Sequence, residues 1–282
     1  MAPSRLHLAV LDCDTPVPNV LPRRGLYSDV FESLLRDAAL KTRGLTKLKL
    51  HFSSYNSVQG ELPTFEELHH IDGLIITGSA AAAYDAEPWI KLLTEFVKNI
   101  YISHPHIKLF GSCFGHQLIC NALFSTPLAP VVSRDPKGYE LGVHPITLTS
   151  AFLTRFGLVT SNSSNPKELR LQFVHADHVV VHTLPEGFHS IGRSKHCALQ
   201  GIWKKGRVLT YQGHAEFDRF INGETIKAFR RPEWSDQYLA DALNAVDADD
   251  DAIWAAGVML KFFLERMESR RTGSRASYQI LH

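Results

Sequence analysis

The sequence predicts an α/β fold, a three-layer sandwich around a mainly parallel sheet. Short apolar runs at residues 6–11, 71–77 and 109–110 alternate with stretches whose apolar residues recur at helical spacing. The run 71–77 is almost continuously apolar, as suits a parallel strand covered on both faces. Residues 107–124 read as strand, sharp turn and helix. Leu109 and Phe110 meet Gly111, and Phe114, Leu118, Ala122 and Leu123 then follow at near-helical spacing.

Taken in order, residues 6–11 form the first strand, and the Pro- and Asp-rich segment 12–25 is a loop. A helix starts near Tyr27, buries Phe31, Leu34 and Leu35, and is capped by Ser28 or Asp29. Residues 45–56 give a second strand, 65–70 a brief helix and 71–77 a third strand that ends at Gly78. Pro88 suits the first turn of a helix with Trp89, Ile90, Leu93, Phe96 and Ile100 on its apolar face. Sheet is expected over 131–148, with residues 138–142 at its centre, a short helix over 151–156 and a surface loop over 161–167. Residues 169–173 lead as a strand into His175. Residues 197–202 and 207–211 pair across a turn at Lys204-Lys205-Gly206, and the second delivers Gln212-Gly213-His214.

Beyond residue 217 the pattern is helical. A first helix is interrupted at Asn222-Gly223, a second spans 235–245, and a third carries Ile253, Trp254, Val258, Phe262, Phe263 and Met267 on one packing face. Asp247–Asp251 lies at the N-terminus of the third. The last dozen residues read as frayed. The expected organisation is a single domain over 1–282, with 218–282 a helical extension that covers the sheet edge or offers a partner or dimer surface.

Bulk properties narrow the function. The 282 residues carry a formal net charge of +1 and no basic block interleaved with aromatics, which argues against nucleic acid as a partner. No stretch reaches transmembrane length, and the first apolar run is too short for a signal peptide. Four scattered cysteines suggest no disulfide framework, so a reducing cytoplasmic or nuclear setting is expected. Histidines 175, 178, 182 and 189 have no metal-ligand spacing, and neither a metal nor a cofactor is expected.

The chemistry is expected at Cys113. Small residues at 111, 112 and 115 allow a tight turn. A thiol there lies at a helix N-terminus, whose backbone N–H groups favour a thiolate and a developing oxyanion. This is the nucleophile-elbow pattern with Cys in place of Ser. Cys120, beside Ile119 in mid-helix, reads as core, and Cys13 and Cys197 as structural.

Gly111-Ser112-Cys113-Phe114-Gly115-His116-Gln117 resembles the Gly-x-Cys-x-Gly-x-Gln motif of the class I (triad) glutamine amidotransferases. Downstream, Tyr211-Gln212-Gly213-His214-Ala215-Glu216 supplies the family's His-x-Glu. The resemblance spans roughly residues 5–220, extends to the small stand-alone members that include γ-glutamyl peptidases, and implies a flavodoxin-like fold. It also implies a triad of Cys113, His214 and Glu216, with Gly78 and Phe114 as backbone oxyanion donors. Gln117, Tyr139, Glu140, His175 and Asp177 are the substrate-binding residues it implies. The chemistry that follows is thioester-forming hydrolysis of an amide or γ-glutamyl-type bond in a small molecule. The alternatives are a glutaminase subunit feeding a separate synthase, acyl or amide chemistry in specialised metabolism, and a non-catalytic binding protein. No phosphate-binding loop or synthetase segment is present. Four alanines, residues 80–83, follow Gly78 where relatives often carry polar residues. They predict an apolar rim and a substrate less polar than free glutamine.

Overall fold

The computed structural model describes residues 5–126, 128–157 and 167–265. Among these residues the strands are β1 (Arg5–Asp12), β2 (Lys49–Asn56), β3 (Gly73–Ile76), β4 (Lys108–Ser112), β5 (Val132–Arg134), β6 (Glu140–Leu148), β7 (Glu168–His175), β8 (Asp177–Val179), β9 (His189–Ser190), β10 (Gly192–Arg193), β11 (Ile202–Lys204) and β12 (Val208–Tyr211). The helices are α1 (Leu21–Arg24), α2 (Tyr27–Lys41), α3 (Phe65–Leu68), α4 (Pro88–Ser103), α5 (Phe114–Phe124), α6 (Ser150–Phe156), α7 (Arg219–Ala228), α8 (Asp236–Val246) and α9 (Ala252–Phe263).

The central sheet runs β2-β1-β3-β4-β12-β11-β9. The first five strands pair in parallel, and β11 and β9 add antiparallel edges. As expected, β3 and β4 are parallel neighbours, with Ile75 opposite Phe110. Strand alternation explains the continuous apolar runs. Leu8, Val10, Ile75 and Phe110 enter one core with α2 and α9, while Ala9, Leu11, Ile76 and Leu109 enter the other with α4 and α5. Phe31 and Tyr211 meet the Phe110 ring edge-on at 6.2 and 5.3 Å. Burying each such side chain contributes about 1.5–3 kcal/mol. A smaller sheet, β10-β6-β7, and the β5-β8 ribbon lie beside the main sheet.

The structure corrects several expectations. Strand β2 starts at Lys49, because Leu45 and Leu48 close a turn, the Leu48 N–H donating to the Leu45 carbonyl. The segment 12–25 contains α1. Helix α2 is capped by Asp29, which accepts the Leu26 N–H at 2.8 Å, whereas Ser28 only donates its own N–H to Asp12. The sheet expected over 131–148 is broken by a turn in which the Gly138 N–H donates to the Asp135 carbonyl and Gly138 adopts φ 85°. Residues 138–139 therefore lead into β6 rather than forming the centre of a strand. Of the expected strand 197–202 only Ile202 pairs as strand, and β11 runs on from it to Lys204, into the expected turn.

Helix α7 is continuous through Asn222-Gly223. The Asn222 carboxamide is buried and donates to Gln172 Oε1 and the Phe173 carbonyl, so tertiary bonds override local propensity. Helix α9 covers a face of the sheet, not its edge: Trp254, Val258, Phe262 and Phe263 are buried in the core shared with α2 and β1. Its N-terminus is capped through Asp250, which accepts the Ala252 N–H, while Asp251 pairs with Arg170. Met267, the frayed terminus and all of the 161–167 loop but Lys167 lie outside the described residues.

Candidate active site

Cys113 stands between β4 and α5 with φ 49° and ψ −105°, the only non-glycine among the described residues at positive φ. The neighbouring glycines explain how the turn closes. A Cβ on Gly111 would lie 2.4 Å from the Gly115 carbonyl oxygen, and one on Gly115 would lie 2.2 Å from that of Ile76. The Cys113 N–H donates to the Tyr211 carbonyl, tying the elbow to the end of β12.

The chain leaving β12 brings up His214 and Glu216. The His214 N–H donates to the Gln172 carbonyl, and an added Cβ at Gly213 would lie 2.9 Å from Leu171 and Phe173, so the segment is held close against β7. His214 Nδ1–H donates to Glu216 Oε1 at 2.8 Å, fixing the tautomer so that Nε2 is left for the thiol. Nε2 is buried and has no hydrogen-bond partner among the described residues. Phe217 stacks on the imidazole at 3.9 Å and 15°, and Tyr27 stacks on Phe217 at 5.8 Å. Burial pulls the His214 pKa down, but the Glu216 carboxylate and the Cys113 thiol outweigh it and push the imidazole up to about 10. Sequence reasoning valued Ser112 for its size alone. Its hydroxyl reaches both Glu216 oxygens, at 2.9 and 3.1 Å, and orients the carboxylate.

Gly78 closes the opposite side. A Cβ there would stand 2.8 Å from His214 Cε1 and 3.7 Å from Cys113 Cβ. Phe114 is the first residue of α5, in the turn whose N–H groups lack intrahelical partners. Gly78 and Phe114 thus flank the thiol.

A cavity of about 300 Å³ opens over Cys113. Gln117, Tyr139, His175 and Asp177 line it, together with Ala80 and Ala81. Both N–H bonds of the Gln117 amide are taken, by the Asp177 carbonyl and Gln212 Oε1, so Gln117 braces the wall. Asp177 Oδ1 is buried without a hydrogen bond. Glu140 does not reach this cavity. Its carboxylate is buried against His175 Nε2 at 3.0 Å and accepts from Ser194 and Gln200, so it supports the wall from behind. Burial works against its charge, but the bonds from His175, Ser194 and Gln200 hold its pKa below the ordinary range.

The apolar rim expected from residues 80–83 is reduced to Ala80 and Ala81. Ala83 is buried in the core and Ala82 is not part of the lining, while Arg134 and Arg231 stand on the cavity wall. The guanidiniums escaped sequence reasoning because neither lies in a motif. The other three cysteines are buried away from the elbow. Burial pushes the pKa of Cys197 up to about 11 and those of Cys13 and Cys120 higher still. Among the described residues no group of His, Cys, Asp and Glu could hold a metal ion, and no helix is long and apolar enough to cross a membrane.

The family model for class-I glutamine amidotransferases matches residues 30–228. A glutamine amidotransferase-like protein of Schizosaccharomyces pombe is 32% identical over 262 residues, covering 92% of this chain and 99% of its own. Gamma-glutamyl peptidase 4 of Arabidopsis thaliana is 30% identical over 251 residues, 87% of this chain and 90% of its own. The crystal structure of a Thermotoga maritima glutamine amidotransferase superposes with a TM-score of 0.61 at 17% identity, over 92% of this chain and 98% of that one, a likeness of fold. The chain belongs to the class-I glutamine amidotransferase family.

Proposed function

We propose that this protein is a cysteine-nucleophile hydrolase of an amide or γ-glutamyl-type bond, working through a thioester on Cys113. The observation that carries the reading is the strained Cys113 elbow set against an imidazole that Glu216 holds by Nδ1. The Cys113 thiolate attacks the amide carbonyl carbon, and the Gly78 and Phe114 N–H groups receive the oxyanion. One such donor is worth about 3–4 kcal/mol in the transition state. His214, as imidazolium, protonates the departing nitrogen as the C–N bond breaks. The neutral imidazole then takes a proton from water, hydroxide attacks the thioester, and Cys113 leaves as thiolate. Glu216, held by Ser112, keeps the ring in the productive tautomer. Asp177, whose buried Oδ1 makes no hydrogen bond and only a long 3.9 Å ion pair with Arg134, suits the ammonium of a γ-glutamyl head. The relatives named as γ-glutamyl peptidases support this substrate class.

The test is incubation with a panel of γ-glutamyl amides, followed by product analysis and intact-protein mass spectrometry. Release of amine and glutamate, with a transient acyl adduct on Cys113 and a loss of about 10⁴-fold or more in Cys113→Ser, is expected. Turnover only when a synthase is added would favour an ammonia-supplying subunit instead.

A further inference from the structure

Arg134 and Arg231 stand on the cavity wall with their charge largely uncompensated. Arg134 ends β5, opposite Asp177 in the β5–β8 register, yet its Nη1 stops 3.9 Å from the Asp177 carboxylate. Arg231 has no carboxylate partner among the described residues. Its Nε donates to the Tyr139 hydroxyl at 3.1 Å, which leaves its terminal nitrogens for another acceptor. Both side chains are exposed, yet each is held in place. The Arg134 guanidinium lies 4.8 Å over the Tyr139 ring. The turn carrying Arg231 is closed by the Trp234 N–H on the Arg231 carbonyl, and buried Trp234 meets Tyr139 edge-on at 4.9 Å. Tyr139 is therefore a post between two guanidiniums that face the space over Cys113.

A planar guanidinium with free N–H groups is built for a carboxylate. A γ-glutamyl head is a zwitterion. Its ammonium suits Asp177 and its carboxylate suits Arg134 beside it, which leaves Arg231 without a partner. We propose that Arg231, with Tyr139 fixing its plane, is an anion subsite for a carboxylate on the departing amine. The favoured substrate is then a γ-glutamyl bond to an amino acid or peptide with a free carboxylate, in preference to glutamine, whose leaving group is ammonia. This rests on the hydrolase reading above. Arg231 lies beyond the stretch 30–228 that the family model matches, so the turn after α7 adds the subsite to the shared core.

The experiment compares γ-glutamylglycine with γ-glutamylglycinamide, which differ in the terminal charge alone. Wild type should favour the free acid about 10- to 100-fold in kcat/KM, the size of one charge-assisted pair. In Arg231→Gln that ratio should collapse toward one, and Arg231→Lys should restore part of it. Because the readout is a ratio, a general loss of activity cancels. The same pair is titrated into Cys113→Ala by calorimetry, where the Kd ratio should follow the same order. A wild-type ratio near one, or a ratio preserved in Arg231→Gln, overturns the subsite even if both compounds are hydrolysed. Failure to turn over either compound, with the Kd ratio intact, removes the hydrolase reading and leaves the subsite standing.

Discussion

Gly78→Ala isolates the geometry of His214 from the stability of the fold. Gly78 is not among the glycines at positive φ, so alanine strains no backbone there. The new methyl would lie 2.8 Å from His214 Cε1. Carbon atoms rest at about 3.5–4.0 Å, so the ring or the loop must give by roughly 0.7–1.2 Å. The ring cannot give cheaply, since Nδ1 is bonded to Glu216 and one face is stacked on Phe217. A misplacement of this size costs on the order of 10²-fold in rate. The cost to the fold is that of one overpacked methyl, about 1–3 kcal/mol. The assays are kcat on γ-glutamylglycine, the rate of iodoacetamide alkylation of Cys113 against pH, and thermal unfolding. The expected result is a kcat about 100-fold lower with a protein that still unfolds cooperatively a few degrees earlier. Activity within twofold of wild type would refute the placement of Gly78 against His214.

Three further outcomes are expected. The folded pKa of His214, about 10, lies above the ordinary 6.5, so its contribution to stability is complete below about pH 6.5 and is lost as pH rises through 10. Tm should therefore fall across that window, and Glu216→Gln should flatten the fall; parallel Tm curves for the two proteins would contradict it. Glu140→Ala leaves His175, Ser194 and Gln200 without their buried acceptor and should cost about 1–3 kcal/mol, seen as a lower urea midpoint; an unchanged midpoint would deny Glu140 its supporting role. Iodoacetamide at mildly alkaline pH should modify Cys113 first, since burial pushes the other three thiols up; peptide mapping that finds Cys13, Cys120 or Cys197 modified faster would reverse the assignment.

The elbow and the His-x-Glu pair were legible because their signals are local. The glycines that let β4 turn into α5 are adjacent in sequence, and His214 and Glu216 are two residues apart. The walls of the cavity were not legible. Arg134 meets Asp177 only through the β5–β8 ribbon, and Arg231 meets Tyr139 only because a turn after α7 seats Trp234 on it. Glu140 was placed correctly in sequence but faces the wrong way for a ligand, since the turn at Asp135–Gly138 sets the phase of β6. Asn222-Gly223 looked like a helix breaker because the bonds that hold it come from β7, some fifty residues earlier.

Helix α9 also has a consequence for the order in which the chain can fold. Phe31, Leu35 and Ala38 of α2 and Leu8 of β1 are covered by Trp254, Val258, Phe262 and Phe263, and the Phe263 ring lies so near Gly73 that a Cβ there would stand 2.4 Å from it. During synthesis the first strands and α2 leave the ribosome long before α9 exists. Until then one face of the nascent sheet is wet, although Cys113, His214 and Glu216 have already been made. The elbow and His214 can meet early, but the floor beneath them closes only with α9, so the nascent chain holds its candidate site before it has its stability.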